Sequence, residues 1–181
     1  MKNLFVAFVL ICGIYAVGTI GQGVASATPS GKILVAYFSW AGNTKHVAEN
    51  IAARVGGDLF EIAPSTPYTK DYDSVLEVAK QEQYEGRLPS LAANVENLSD
   101  YNVVFLGYPI WWYDAPQIIK SFMATHDLSG KTVIPFCTSG GSDLSESMNS
   151  IRQGCPNSEI AEGLTANSES DIEPWLARLG F

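Results

Sequence analysis

The sequence predicts an α/β domain in which a five-stranded parallel sheet carries helices on both faces. Short, continuous apolar runs at residues 32–38, 103–107 and 132–137 read as strands buried on both sides, not as half-exposed alternating ones. Segments with apolar residues at helical spacing separate them, and strand–helix alternation implies right-handed crossovers between parallel neighbours. With 181 residues, 46% hydrophobic and 17% charged, the chain suffices for one compact domain and is too short for two.

The first strand, KILVAYF at residues 32–38, leads through residues 39–43 into a helix at 44–55. There Val47, Ala48, Ile51, Ala52 and Val55 share a face before Gly56 and Gly57 end the helix. Residues 58–62 read as the second strand, followed by a Pro- and Tyr-rich loop at 64–72 and a helix at 74–84. The third strand, 103–107, opens into residues 108–116 and a helix at 117–124. The fourth, 132–137, is followed by a loop at 138–143 and a helix at 144–152. A fifth strand is expected at 158–164, and a closing helix at 172–179 turns Trp175 and Leu176 inward.

The N-terminus reads as an address. One positive charge precedes 17 almost wholly apolar residues, 4–20, and Ala25-Ser26-Ala27 supplies the small residues a signal peptidase requires. The run is at the short limit for crossing a bilayer and is softened by Gly13 and Gly18, so residues 1–27 are expected to be cleaved, with no stable membrane insertion afterwards. The expected mature domain is residues 28–181, exported to the periplasm or beyond; losing Lys2 and no acid takes the net charge from −8 to −9. Processing as a lipoprotein at Cys12 is disfavoured because Ile11 precedes it.

This acidity, without a basic run, excludes nucleic acid as a partner. Three cysteines, two histidines and no C-x-x-C pair exclude a structural zinc site. Cys137 ends a strand and Cys155 follows the returning helix, roughly 13 Å further on, so no bridge between them is expected. His46 and His126 read as surface residues at helix ends.

Loops that follow parallel strands gather at one edge, where open α/β sheets bind ligands. The first, Ser39-Trp40-Ala41-Gly42-Asn43-Thr44, lies between a buried strand and a helix, so backbone N–H groups and the helix dipole suit a phosphate monoester. Ser39, Asn43 and Thr44 add donors, and Gly42 lets the backbone curl round the anion. The second, Pro109-Ile110-Trp111-Trp112-Tyr113, offers aromatic rings for stacking a flat ligand. The third, Thr138-Ser139-Gly140-Gly141, suits close approach to a polar ring edge. The fingerprints of nucleoside triphosphate and dinucleotide loops are absent, as is the serine-hydrolase elbow. Asp143 stands where a cysteine phosphatase loop headed by Cys137 needs arginine. No catalytic acid, base or nucleophile and no metal ligand is expected.

The run from Ile33 to Thr44 resembles the flavodoxins, whose phosphate loop has the form Ser/Thr-x-Ser/Thr-Gly-Asn/Gln-Thr. Gly107 to Trp112 and Phe136 to Ser142 look like the second and third loops of a bacterial flavodoxin-like branch, and the likeness covers residues 31–181. It implies a three-layer fold with strand order 2-1-3-4-5 and non-covalent FMN. Carried onto this chain, Ser39 to Thr44 would hold the phosphate, Pro109 to Tyr113 would flank the isoalloxazine and Thr138 to Gly141 would meet its polar edge. The chain departs from the pattern at Ala41, where the family has a hydroxyl, and at Tyr113-Asp114, where it often has a glycine whose peptide turns on reduction. The resemblance implies an electron carrier serving a redox partner protein or a small acceptor. Two alternatives stay open: an FMN-dependent oxidoreductase taking a quinone or similar acceptor in a pocket of Tyr68, Tyr72 and residues 108–116, and a flavin-free binding module. Asp114, in an acidic domain, is expected to disfavour an added negative charge on the flavin.

Overall fold

The computed structural model describes residues 31–181; the expected signal at 1–27, Cys12 included, lies outside them. In chain order the elements are β1 (Lys32–Tyr37), α1 (Asn43–Val55), β2 (Asp58–Glu61), α2 (Tyr72–Glu85), β3 (Tyr101–Pro109) and α3 (Gln117–Thr125). They continue with β4 (Thr132–Thr138), α4 (Met148–Gly154), β5 (Glu159–Ile160), β6 (Leu164–Thr165) and α5 (Ile172–Leu179). Every pairing between these strands is parallel, in the order β2-β1-β3-β4-β5, with β6 also on β4.

Successive residues of the central strands enter different cores. Leu34, Ala36, Val104, Leu106 and Val133 pack with Ile118, Ile119 and Phe122 of α3 and Ile151 of α4. Val35, Tyr37, Val103, Phe105, Ile134 and Phe136 pack on the other face with Val47, Ala48 and Ile51 of α1 and Ile172 and Trp175 of α5. A strand with a core on each side must be apolar at every position, which is why these runs show no alternation.

The expected fifth strand is two short ones. The carbonyls of Lys131, Val133 and Cys137 face the edge and accept from Glu159, Ala161 and Ala166 at 3.0, 3.0 and 2.7 Å. Pro135 has the same parity and no N–H to give, so the ladder lapses opposite it and resumes at β6. Gly163 crosses that gap, where a Cβ would lie 2.5 Å from the Pro135 carbonyl oxygen. The expected helix at 144–152 is likewise divided, into a 3-10 turn, Leu144–Glu146, and α4. The break falls at Ser147, whose buried hydroxyl donates to the Leu144 carbonyl at 2.9 Å and meets the Tyr108 hydroxyl at 3.0 Å.

Cys137 and Cys155 are both free and buried, and burial pushes each thiol up to about 11. His126 corrects the surface expectation. It is buried at the end of α3, where Nδ1 donates to the Phe122 carbonyl and Nε2 accepts from the Val95 N–H, both at 3.0 Å. That pairing requires neutral imidazole, and burial lowers its pKa accordingly.

Candidate functional site at the carboxyl edge

A cleft of about 1230 Å³ opens where β1, β3, β4 and β6 end, and all fifteen loop residues singled out from the sequence line it. α1 starts at Gly42, which holds φ 93° and provides no side-chain cap. Free N–H groups of the first turn therefore stay available at the cleft. The Gly42 N–H donates to Ser39 Oγ at 3.1 Å, closing the loop on itself. Thr44 is buried, and its hydroxyl lies 2.9 Å from that of Thr138, joining the first loop to the third.

The third loop is pinned by residues not singled out in the sequence. Asn167 Oδ1 accepts from the Ser139 N–H at 2.9 Å, and Thr165 Oγ1 accepts from the Leu144 N–H at 2.9 Å. Ser139 Oγ in turn accepts from the N–H groups of Gly141 and Ser142, at 3.1 and 2.6 Å. A Cβ at Gly140 or Gly141 would meet no protein atom within 4 Å, so the backbone there is open to a ligand. Asn167 and Glu169 reach the cleft from a fourth carboxyl-edge loop, after β6; the signal for it was the fifth strand itself. Leu76 of α2, His46 and Val47 of α1, and Ser142, Glu146 and Ala166 also line the cleft without having been singled out as site residues, and Tyr72, expected in a substrate pocket, lines it as well.

The second loop is a tight hairpin turn. Trp111 and Asp114 exchange backbone hydrogen bonds of 3.0 and 3.1 Å, with Trp112 at φ 47° and Tyr113 at φ 63° between them. Turns with two left-handed centres normally carry Asn-Gly, so two aromatics here hold strain of about 1–3 kcal/mol each. The surroundings impose it. Trp112 is tied to α2, its Nε1 donating to the Leu76 carbonyl at 3.0 Å, Lys80 Nζ lying 5.1 Å from its ring centre and its own carbonyl accepting from Gln83 at 3.2 Å. Trp111 packs edge-on against Phe38 and Tyr68, with ring centres 5.2 and 5.3 Å apart. Trp40 donates from Nε1 to the Thr69 carbonyl at 2.8 Å and leans on Tyr72.

Asp114, expected from the sequence to disfavour added negative charge on a flavin, is paired. Its carboxylate accepts from Lys120 Nζ at 2.7 Å, Ser150 Oγ at 2.8 Å and the Ala115 N–H at 2.7 Å. Lys120 offsets its charge, which weakens the expectation that Asp114 sets a flavin's potential. Tyr68 also differs from expectation: it stands behind Trp111, its hydroxyl donating to Glu82 Oε2 at 2.7 Å, while Arg87 Nη1 donates to Oε1 at 3.3 Å.

Burial holds the Glu82 carboxyl above the usual glutamate range, outweighing the hydrogen bond from Tyr68 and the charge of Arg87. A raised carboxyl pKa contributes stability below the unfolded value and loses that contribution as pH climbs through the folded one. Glu82→Gln keeps an acceptor for Tyr68 without the ionisation. Wild type is therefore expected to lose stability relative to Glu82→Gln as pH rises above the ordinary glutamate range of about 4, checked by urea denaturation of both proteins across pH.

The donor set fits a flavin mononucleotide. The loop before α1 brings amides and hydroxyls without lysine or arginine to the cleft, and Tyr72, Trp111, Trp112 and Tyr113 bring aromatic rings to it. A monoester anion suits the first and a flat ring the second.

An open parallel α/β sheet with a cleft at its carboxyl edge defines the class. The flavodoxin family model matches residues 32–179. A crystal structure from Bacteroides eggerthii DSM 20697, described as a candidate flavoprotein, is 42% identical, with a TM-score of 0.77 over 84% of this chain and 99% of that one. Another so described, from Bacteroides uniformis ATCC 8492, is 34% identical, with a TM-score of 0.72 over 82% and 99%. A flavoprotein in complex with FMN from Lactobacillus acidophilus NCFM shares the fold at 21% identity, with a TM-score of 0.70 over 81% and 99%. No curated protein matches significantly. The chain belongs to the flavodoxin family.

Proposed function

We propose that this protein binds FMN in the carboxyl-edge cleft and acts as an exported electron carrier. The observation that carries the reading is that one cleft joins an uncapped helix start to a cluster of aromatic rings. Bound FMN supplies the redox chemistry, accepting and releasing electrons at its ring. Gly42 and the first turn of α1 hold the phosphate; Ser39, Asn43 and Thr44 supply donors to it. Thr138 to Gly141 present backbone amides to the ring's polar edge, and Pro109 to Tyr113 cover it and exclude water. Export rests on the composition of residues 1–27, and a redox protein or a small acceptor is the expected partner. Among the described residues no helix is long and apolar enough to cross a membrane.

The acidic domain sets a direction for the potential. With no Lys or Arg on the cleft, adding negative charge to the flavin is expected to be harder than in solution, so the low-potential couple lies below that of free FMN. Exposed charges are screened, so the gap narrows as salt is raised. Potentiometric titration at two ionic strengths checks both statements; a couple at or above that of free FMN would contradict them. Slow oxidation of a soluble nicotinamide and fast exchange with a one-electron acceptor protein support the carrier. Rapid nicotinamide-driven turnover of a quinone would identify an oxidoreductase instead.

A further inference from the structure

We propose that His46 is the cationic ligand of the cofactor phosphate, drawn from Glu169, and that it couples phosphate binding to proton uptake. The inference rests on the reading of the cleft as an FMN site. Glu146 and Glu169 line the cleft, and among its lining residues His46 is the one side chain able to carry positive charge. It lies on the first turn of α1, and its N–H donates to the Gly42 carbonyl at 3.0 Å, so it shares a turn with the phosphate loop.

His46 Nε2 donates to Glu169 Oε1, 123 residues away in sequence, on the 3-10 turn Glu169–Asp171 that precedes α5. The two side chains are 67% and 61% exposed. Such a pair is weak, so a phosphate entering beside it competes for the imidazole at little cost. The ionisable groups of the elements meeting there are Lys45 and Glu49 on α1, Glu169 and Asp171 on the facing turn, and Glu146 on the cleft wall. Lys45 is exposed and does not line the cleft. Carboxylates and a phosphate around one imidazole favour the imidazolium, so binding draws a proton to His46.

The phosphate alone gives the opposite sign. Its second ionisation lies near ~6, so a site that holds the dianion through amides and hydroxyls only releases protons or exchanges none. Calorimetric titration of FMN into the apoprotein near pH ~7.5, in two buffers of different ionisation enthalpy, reads the exchange, with riboflavin as the phosphate-free control. The expected result is net proton uptake with FMN and none with riboflavin. FMN affinity is expected to fall about tenfold between roughly pH 6 and pH 8.5, as a charged donor becomes a neutral one. His46→Gln is expected to abolish the uptake, flatten the pH profile and leave riboflavin affinity unchanged. Absence of uptake in wild type, or uptake that persists in His46→Gln, overturns the assignment while the FMN reading stands. Failure of both flavins to bind overturns the FMN reading, and the assignment with it.

Discussion

Gly42→Val is expected to weaken FMN binding by at least about a hundredfold, roughly 2.7 kcal/mol, while the domain still folds. Gly42 holds φ 93° at the start of α1, a conformation that β-branched residues rarely adopt. The strain is about 1–3 kcal/mol, within the usual stability of a domain of this size. A Cβ built at Gly42 meets open space, so the added side chain would project into the volume that FMN is proposed to fill. Relaxing the strain would re-aim the N–H groups of the loop. Riboflavin, which lacks the phosphate, is expected to lose much less affinity, and fluorescence titration with both flavins checks the difference. Equal losses for both would show that the loop does not hold the phosphate.

Gly107→Ala is expected to destabilise the domain by roughly 3 kcal/mol, lowering the melting temperature by roughly 10 °C. Gly107 sits on β3 opposite Phe136 of β4, and its missing side chain is where the Phe136 ring lies. A Cβ there would be 2.1, 2.4 and 2.8 Å from three ring carbons. Phe136 is fully buried, so the ring has nowhere to retreat without displacing its neighbours. Because β3 runs directly into the second loop, flavin affinity should fall with stability. Shortening the ring, as Phe136→Leu, should recover part of the loss in the double variant, since the two positions compete for one space. Thermal denaturation of the single and double variants measures it.

The three central strands were legible because each has an unbroken apolar run between its ends, as a core on both faces demands. The split edge strand was not, since its cause is Pro135 on the neighbouring strand, a pairing visible only once the register is known. The start of α2 at Tyr72 was misplaced by two residues although Asp71 accepts from the Ser74 N–H at 2.9 Å; the Pro- and Tyr-rich run before it masked that cap. At the site, residue types told which loops meet. They did not tell that Trp112 and Tyr113 adopt left-handed conformations, because the turn lacks the Asn-Gly that marks one. Nor did they pair Asp114 with Lys120, six residues on, because the contact depends on how the turn meets the first turn of α3. His46 was read as a surface residue, which its exposure supports, but its meeting with Glu169 depends on the far end of the chain.

The central claim, that the cleft is an FMN site, is tested most directly by titrating the purified apoprotein with FMN, FAD and riboflavin while following flavin absorbance and fluorescence. The account predicts one-to-one binding of FMN with quenched fluorescence, weaker binding of riboflavin, and no comparable binding of FAD, because the loop at Ser39 to Thr44 closes on a terminal monoester and leaves no glycine-rich path for a diphosphate. Equal affinity for FMN and FAD, or no saturable binding of FMN, would contradict it.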